Sequence, residues 1–127
     1  MISDPIADFL TRIRNAHMAR RSTVIMPHST LKEAIAKVML KNNFLQAIEN
    51  GIDTRGFKTL ICTLIPTKTL ELKRISKPGQ RIYIGADQIR KVKNGYGIAI
   101  LSTPKGVITG YEAKSLGVGG EYLCTVS

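Results

Sequence analysis

The stretch Asn94-Gly95-Tyr96-Gly97-Ile98-Ala99-Ile100-Leu101-Ser102-Thr103-Pro104-Lys105-Gly106 concentrates side chains suited to a polar ligand. Ser102 and Thr103 supply hydroxyls, Lys105 a cation, Pro104 stiffness and Gly106 access to positive φ, directly after an apolar run of strand length at residues 98–101. Such a loop at the end of a buried strand can hydrogen-bond sugar and phosphate oxygens. It reads equally well as a solvated turn. A second group surrounds Lys77-Pro78-Gly79-Gln80, where Lys73, Arg74, Lys77 and Arg81 crowd together and Arg90, Lys91 and Lys93 follow shortly after Asp87. That run of cations reads as an electropositive face. A third group is Gly119-Gly120-Glu121, a glycine pair at the entry of a final apolar strand, where another backbone can approach closely.

Catalytic chemistry finds no convergent set. The chain has no G-x-S-x-G, H-E-x-x-H or G-x-x-x-x-G-K-[ST] motif. Gly95-Tyr96-Gly97 and Gly117-Val118-Gly119-Gly120 look like pieces of phosphate loops but lack the strand and long helix that aim a dipole at phosphate. His17 and His28 have no His or Cys companion at i+4, so neither a metal nor another cofactor is expected. Cys62 and Cys124 lie far apart in apolar runs, without C-x-x-C spacing, and read as buried free thiols in a reducing compartment. With no apolar signal segment at the N-terminus, a cytoplasmic setting is expected, an organelle being the alternative.

Composition points to a polyanion. Lys and Arg number 19 against 9 Asp and Glu, a net charge of +10 with a pI near 10.0. Residues 1–66 hold 9 bases and 5 acids, and residues 67–127 hold 10 bases and 4 acids, so the charge is not confined to a tail. Distributed positive charge on a globular body favours nucleic acid through counterion release, and no basic amphipathic helix suggests a membrane surface. Tyr83, Tyr96, Tyr111 and Tyr122 could stack on unpaired bases, although each reads more readily as a strand-packing residue.

The elements that would position these groups follow from periodicity. Residues 4–20 read as a helix with Ser3 or Asp4 as cap, Pro5 in the first turn, and Ile6, Phe9, Leu10, Ile13 and His17 on one stripe, which leaves Arg12 and Arg14 exposed. Residues 22–26 read as a strand. Thr30 and Glu33 form a capping box for a second helix, with Leu31, Ala34, Ile35 and Val38 apolar and Lys32, Lys37 and Lys41 off that face. Asn42-Asn43 ends it, and residues 44–49 and 57–65 read as strands joined by a turn. A boundary is expected at Pro66-Thr67-Lys68-Thr69, dividing an αβαββ unit (1–66) from a mostly β unit (67–127). In the second unit, residues 70–76 and 80–84 read as a hairpin around a type II turn with Gly79 at positive φ. Thr109 and Glu112 start a short helix that Gly117 ends, before the last strand. The fold class is α+β, built from two small α/β subdomains.

Three ordered motifs resemble one family. Asp4-Pro5-Ile6-Ala7-Asp8-Phe9-Leu10-Thr11-Arg12-Ile13-Arg14-Asn15-Ala16 is similar to the N-terminal signature of bacterial small-subunit ribosomal protein eight. Residues 74–83 with 95–106, and then Gly119-Gly120-Glu121-Tyr122-Leu123-Cys124, resemble its remaining hallmarks, in order, so the resemblance spans essentially the whole chain. It implies a non-enzymatic, two-part protein that binds a helical junction in the central domain of small-subunit ribosomal RNA, acting early in assembly as a monomer within the ribosome.

By the same resemblance the RNA contacts are Ser102, Thr103, Lys105, Tyr83, Gly119, Gly120 and Glu121. The neighbouring bases Arg14, Lys32, Arg74 and Arg81 support them, and ribosomal protein five is the foremost protein neighbour. Two positions depart from the family pattern. Pro104 stands where many members have Ser, and Gly110-Tyr111 replaces a more charged pair. Alternatives are a regulator binding a messenger RNA that mimics the ribosomal site, and a small enzyme acting on a phosphorylated substrate, the latter motivated by the glycine pairs alone.

Overall fold

The computed structural model describes residues 4–67 and 69–127, with Asn94 described in its backbone only. Ser3 as an alternative cap and Lys68 at the expected boundary lie outside the described residues. The chain forms two compact units, Pro5–Leu70 and Glu71–Ser127, with Asp4 grouped with the latter. Both combine helices with antiparallel sheet, so the class is α+β.

In the first unit, helix α1 (Pro5–Met18) is followed by strand β1 (Thr23–Pro27), helix α2 (Thr30–Lys41) and strands β2 (Ala47–Ile52) and β3 (Lys58–Thr63). The periodic stripe of α1 is buried through Ile6, Phe9, Leu10, Ile13 and Ala16. The helix stops two residues short of the expected Arg20, because Arg20 takes positive φ and Arg21 N–H turns back to the Ala16 carbonyl at 2.9 Å. The cap of α2 is Ser29 rather than Thr30: its hydroxyl accepts from Lys32 N–H at 3.0 Å, while Glu33 pairs with His28 and Lys37.

The strands form an antiparallel sheet in the order β1-β3-β2 with continuous register, Ile25 opposite Ile61 and Glu49 opposite the same residue. Strand β2 runs through Asn50-Gly51 to Ile52, later than its hydrophobic pattern suggested. Asp53 closes the turn, accepting from the Arg55 and Phe57 N–H groups at 2.9 Å each. The Phe57 N–H bond, the largest influence, holds the Asp53 carboxyl below its usual range.

The second unit has strands β4 (Leu72–Arg74), β5 (Tyr83–Ile84), β6 (Ile98–Thr103), β7 (Gly106–Thr109) and β8 (Gly120–Val126), with helix α3 (Gly110–Leu116) and two short 3-10 turns. Its sheet runs β4-β8-β6-β7, with β5 also on β8. Helix α3 has the expected ends, Thr109 accepting from Glu112 N–H at 3.1 Å and Gly117 at φ 69°. Ile89, Ala99, Leu101 and Ala113 are buried together, with Ile84, Val92, Ile108, Val118 and Tyr122 packed against them.

The expected hairpin of residues 70–84 is corrected. Strands β4 and β5 do not pair with each other: both run antiparallel to β8, β4 against Cys124–Val126 and β5 against Gly120–Glu121. They are two collinear pieces of one edge, interrupted by a loop at residues 77–81. The turn of that loop is closed by Lys77 and Gln80, which exchange backbone hydrogen bonds at 3.0 Å. Gly79 is not at positive φ, so the turn is not type II.

Candidate nucleic-acid interface

The β8 entry organises the candidate site. Glu121 is the register partner of Tyr83 on β5 and also of Ser102 on β6. Directly opposed residues of antiparallel strands carry their side chains on one face, roughly 4.5–5.5 Å apart, so Tyr83, Glu121 and Ser102 form a row across three strands. The register shift between Ile100 and Leu101 sets this row: Ile100 is opposite Cys124 but Leu101 is opposite Tyr122. Without the extra residue, Ser102 would be one position out of step with Glu121.

The glycine pair makes the row possible. A Cβ on Gly120 would lie 2.2 Å from the Ser102 carbonyl oxygen, and one on Gly119 would lie 2.3 Å from that of Ile84. Both contacts are with backbone, which cannot rotate aside, so β8 enters between β5 and β6 only because these residues lack side chains. The sequence suggested that side chains after the pair approach another backbone; the close approach lies at the two glycines themselves, against the backbones carrying Tyr83 and Ser102.

Ser102 and Thr103, expected in a loop, are the last residues of β6, and the chain reverses at Pro104-Lys105 into β7. That strand was not anticipated. Its pattern is short, and Gly106 at φ +106° looked like loop. The two hydroxyls have different duties. That of Thr103 donates to the Gly106 carbonyl at 2.9 Å and accepts from Lys105 N–H at 3.1 Å, so it staples the turn. That of Ser102 has no hydrogen-bond partner among the described residues, and Lys105 projects from the turn, exposed and unpaired.

Tyr83 is 65% exposed and Tyr96 and Tyr111 are exposed as well, against the strand-packing role that each tyrosine suggested. Only Tyr122 packs, and its burial raises its hydroxyl pKa. Arg81 stands beside the row with Nη1 3.4 Å from Glu121 Oε1. Lys73, Lys77, Arg90, Lys91 and Lys114 of the same unit have no ion-pair partner among the described residues.

Two of the expected basic contacts are engaged elsewhere. The Arg74 side chain is mostly buried, pairs with Asp4 at 3.2 Å and donates to the Leu123 carbonyl, which secures β4 to β8. Lys32 is buried, its ammonium 2.6 Å from Asp8 Oδ2 and 3.3 Å from the Pro27 carbonyl. Arg12 shares that carboxylate at 3.1 Å. Burial pushes the Asp8 carboxyl up, but Lys32 and Arg12 together outweigh it and hold the group below its usual range. A charge neutralised inside the fold is a packing device, so Lys32 and Arg74 are assigned to structure rather than to the exposed surface. Arg14 is exposed on α1, in the other unit.

The residue that the motifs missed is Ser76, fully buried, whose hydroxyl donates to Glu121 Oε2 at 2.6 Å and accepts from Ile82 N–H at 3.0 Å. Among the described residues no cluster of His, Cys, Asp and Glu could hold a metal ion, and no helix is long and apolar enough to cross a membrane. Cys62 and Cys124 are free and buried.

A basic α+β chain with this sheet end falls in the class of ribosomal proteins: residues 4–127 match the family model described as Ribosomal protein S8. It is similar to the small ribosomal subunit protein uS8 of Geobacter sulfurreducens, 50% identical over 129 residues and 98% of each chain. The protein of the same name in Thermoanaerobacter sp. (strain X514) is 48% identical, over 99% of this chain and 98% of that one. That of Acidithiobacillus ferrooxidans is 43% identical over 130 residues. The chain belongs to the ribosomal protein S8 family, as its N-terminal and C-terminal signatures indicated.

Proposed function

We propose that this protein is a structural constituent of the small ribosomal subunit that binds small-subunit ribosomal RNA directly and supports its assembly. It holds no catalytic role in this reading, and its protein partners are neighbouring small-subunit proteins, ribosomal protein five foremost. The observation that carries the proposal is the row of Tyr83 and Ser102 flanking Glu121, with Lys105 and Arg81 at its borders. An exposed aromatic ring can stack on an unpaired base. An unpartnered hydroxyl can bond a 2′-OH or phosphate oxygen, and exposed cations attract the backbone. The glycine pair shapes this surface through the backbone; Arg14, in the Pro5–Leu70 unit, is proposed as a separate RNA contact.

The test is affinity for a small-subunit rRNA fragment measured across salt concentrations. Log affinity falls linearly with log salt, with a slope of about −0.7 to −0.9 for each phosphate neutralised. An absent or salt-independent complex overturns the proposal.

A further inference from the structure

A carboxylate is a poor neighbour for a polyanion, yet Glu121 lies at the centre of the proposed RNA surface. Both of its oxygens are occupied from within the protein. Oε2 accepts the Ser76 hydroxyl at 2.6 Å, Oε1 faces Arg81 Nη1 at 3.4 Å, and the side chain is only 15% exposed. The family resemblance implies that this carboxylate touches RNA. Its geometry indicates a different use.

The groups around it form the neck of the loop at residues 77–81. On one side Ser76 N–H bonds the Tyr122 carbonyl at 3.1 Å, and on the other Tyr122 N–H bonds the Ile82 carbonyl at 2.8 Å. A single β8 residue thus holds both ends of the excursion. The Ser76 hydroxyl crosses the neck, accepting from Ile82 N–H at 3.0 Å while donating to Glu121. Hydrogen bonds to an ionised carboxylate are short and strong, and a buried hydroxyl stripped of its partner is costly. Ser76 therefore fixes where the chain leaves and rejoins β8, and Arg81 and Tyr83 fall immediately around the point of return.

We infer that Ser76 and Glu121 are positioning residues for RNA recognition. Their buried hydroxyl–carboxylate bond clamps the neck of the loop and holds Arg81 and Tyr83 in place, and the carboxylate itself does not contact RNA. The clamp also engages the negative charge within the protein, between Ser76 and Arg81. An exposed ion pair of this length contributes little energy, so its value is orientation. The inference rests on the functional reading above and extends it to Ser76, which lies outside the row, and to a new role for Glu121 within it.

The experiment compares S76A, E121A, E121Q and the double variant S76A/E121A by two readouts, rRNA-fragment affinity and hydrogen exchange of the Ile82 amide in the free protein. S76A and E121A each weaken binding about tenfold, and the double variant is no weaker than either, because both break one unit. E121Q keeps an oxygen acceptor for Ser76 and stays within about threefold of wild type. K105A, which removes a cation outright, makes the salt slope shallower by about 0.7–0.9, whereas the four clamp variants keep the charge of Arg81 and change the slope by less. Ile82 exchanges faster in S76A and E121A but not in E121Q. Where S76A is too unstable to purify, the near-isosteric S76C carries the same comparison. Wild-type protein that binds no RNA overturns the functional reading. RNA-binding protein in which S76A is silent in both readouts, or in which E121Q loses as much affinity as E121A, overturns this inference alone.

Discussion

The two sheets obey the same rules and differ in how regularly they do so. In the Pro5–Leu70 unit the order β1-β3-β2 is unbroken in register, and β1 alternates between exposed and buried positions along its length. In the other unit the sheet carries a register shift, a glycine pair with no room for a Cβ, and an edge strand cut in two by a basic loop. Each irregularity borders the row of Tyr83, Glu121 and Ser102. Ion pairs occur in both units. Asp8, Glu33 and Asp53 pair with Arg12, Lys32, Lys37 and Arg55 in the first unit and Asp4, Glu121 and Glu71 with Arg74, Arg81 and Lys93 in the second, where Lys73, Lys77, Arg90, Lys91, Lys105 and Lys114 have no ion-pair partner among the described residues. A regular sheet of unbroken register suits a scaffold. The irregular one gives up some regularity around the row on which the proposed function rests.

The sharpest way to break this contrast is to add one methyl group to each sheet. Gly120→Ala drives a Cβ to 2.2 Å from a backbone oxygen and is expected to cost about 3 kcal/mol or more in chemical denaturation. Gly51→Ala in the regular sheet meets only side-chain atoms of Thr59 and Ile61, at 3.0 and 3.2 Å, and is expected to cost about 1 kcal/mol or less. Equal losses would remove the distinction.

Next in size is Asp8→Asn, which leaves the buried Lys32 ammonium without its counter-charge. It is expected to lower stability by about 1–3 kcal/mol, a range reduced because the Asp8 side chain is 41% exposed, with RNA affinity unchanged. Since the folded-state pKa of Asp8 lies below its unfolded value, this contribution is complete at neutral pH. It disappears as the pH falls below about 4. Acid titration of unfolding should therefore bring wild type and variant together at low pH, and a constant gap would contradict the pairing.

Smaller still is the contrast between adjacent hydroxyls. Thr103→Ala removes the turn staple and is expected to lower stability by about 1 kcal/mol, whereas Ser102→Ala should weaken RNA binding by a similar amount with the melting temperature unchanged. The two effects exchanged would place the contact on the wrong residue. The smallest effect is expected from Ile25→Thr on the exposed face of the regular sheet, within about 0.5 kcal/mol in stability and silent in RNA binding.

Local signals revealed the elements whose causes are local. Apolar spacing placed α1 and α2, and Thr109 with Gly117 placed both ends of α3. Asn42-Asn43 ended α2, with Asn43 at φ 66°. Partners distant in sequence defeated the same reasoning. Lys32 belongs to the interior because Asp8, 24 positions earlier, receives its charge. Pro78-Gly79 signalled a hairpin, but the competing partner for both short strands is β8, some 40 residues onward, and pairing with a central strand prevailed over local turn preference. Ser76 gave no sign at all, since a serine among polar residues is ordinary until Glu121, 45 positions away, folds against it. Although Tyr83 read by its type as a packing residue, Lys105 and Ser102 were legible as exposed chemistry at a strand end. Their alignment was not, because one β-bulge decides it.

The two cysteines offer a practical consequence. One thiol lies in each unit, Cys62 on β3 and Cys124 on β8, and burial pushes both up to about 12. Only the thiolate reacts with alkylating reagents or disulfides, so the native thiols are doubly protected, by access and by protonation. Labelling can proceed only when a unit opens, which makes each cysteine a clock for its own half of the molecule. Mass-resolved alkylation of the unmodified protein, with no engineered probe, would time the opening of the two units separately, and RNA clamped onto the β8 unit should slow the Cys124 clock more than the Cys62 clock.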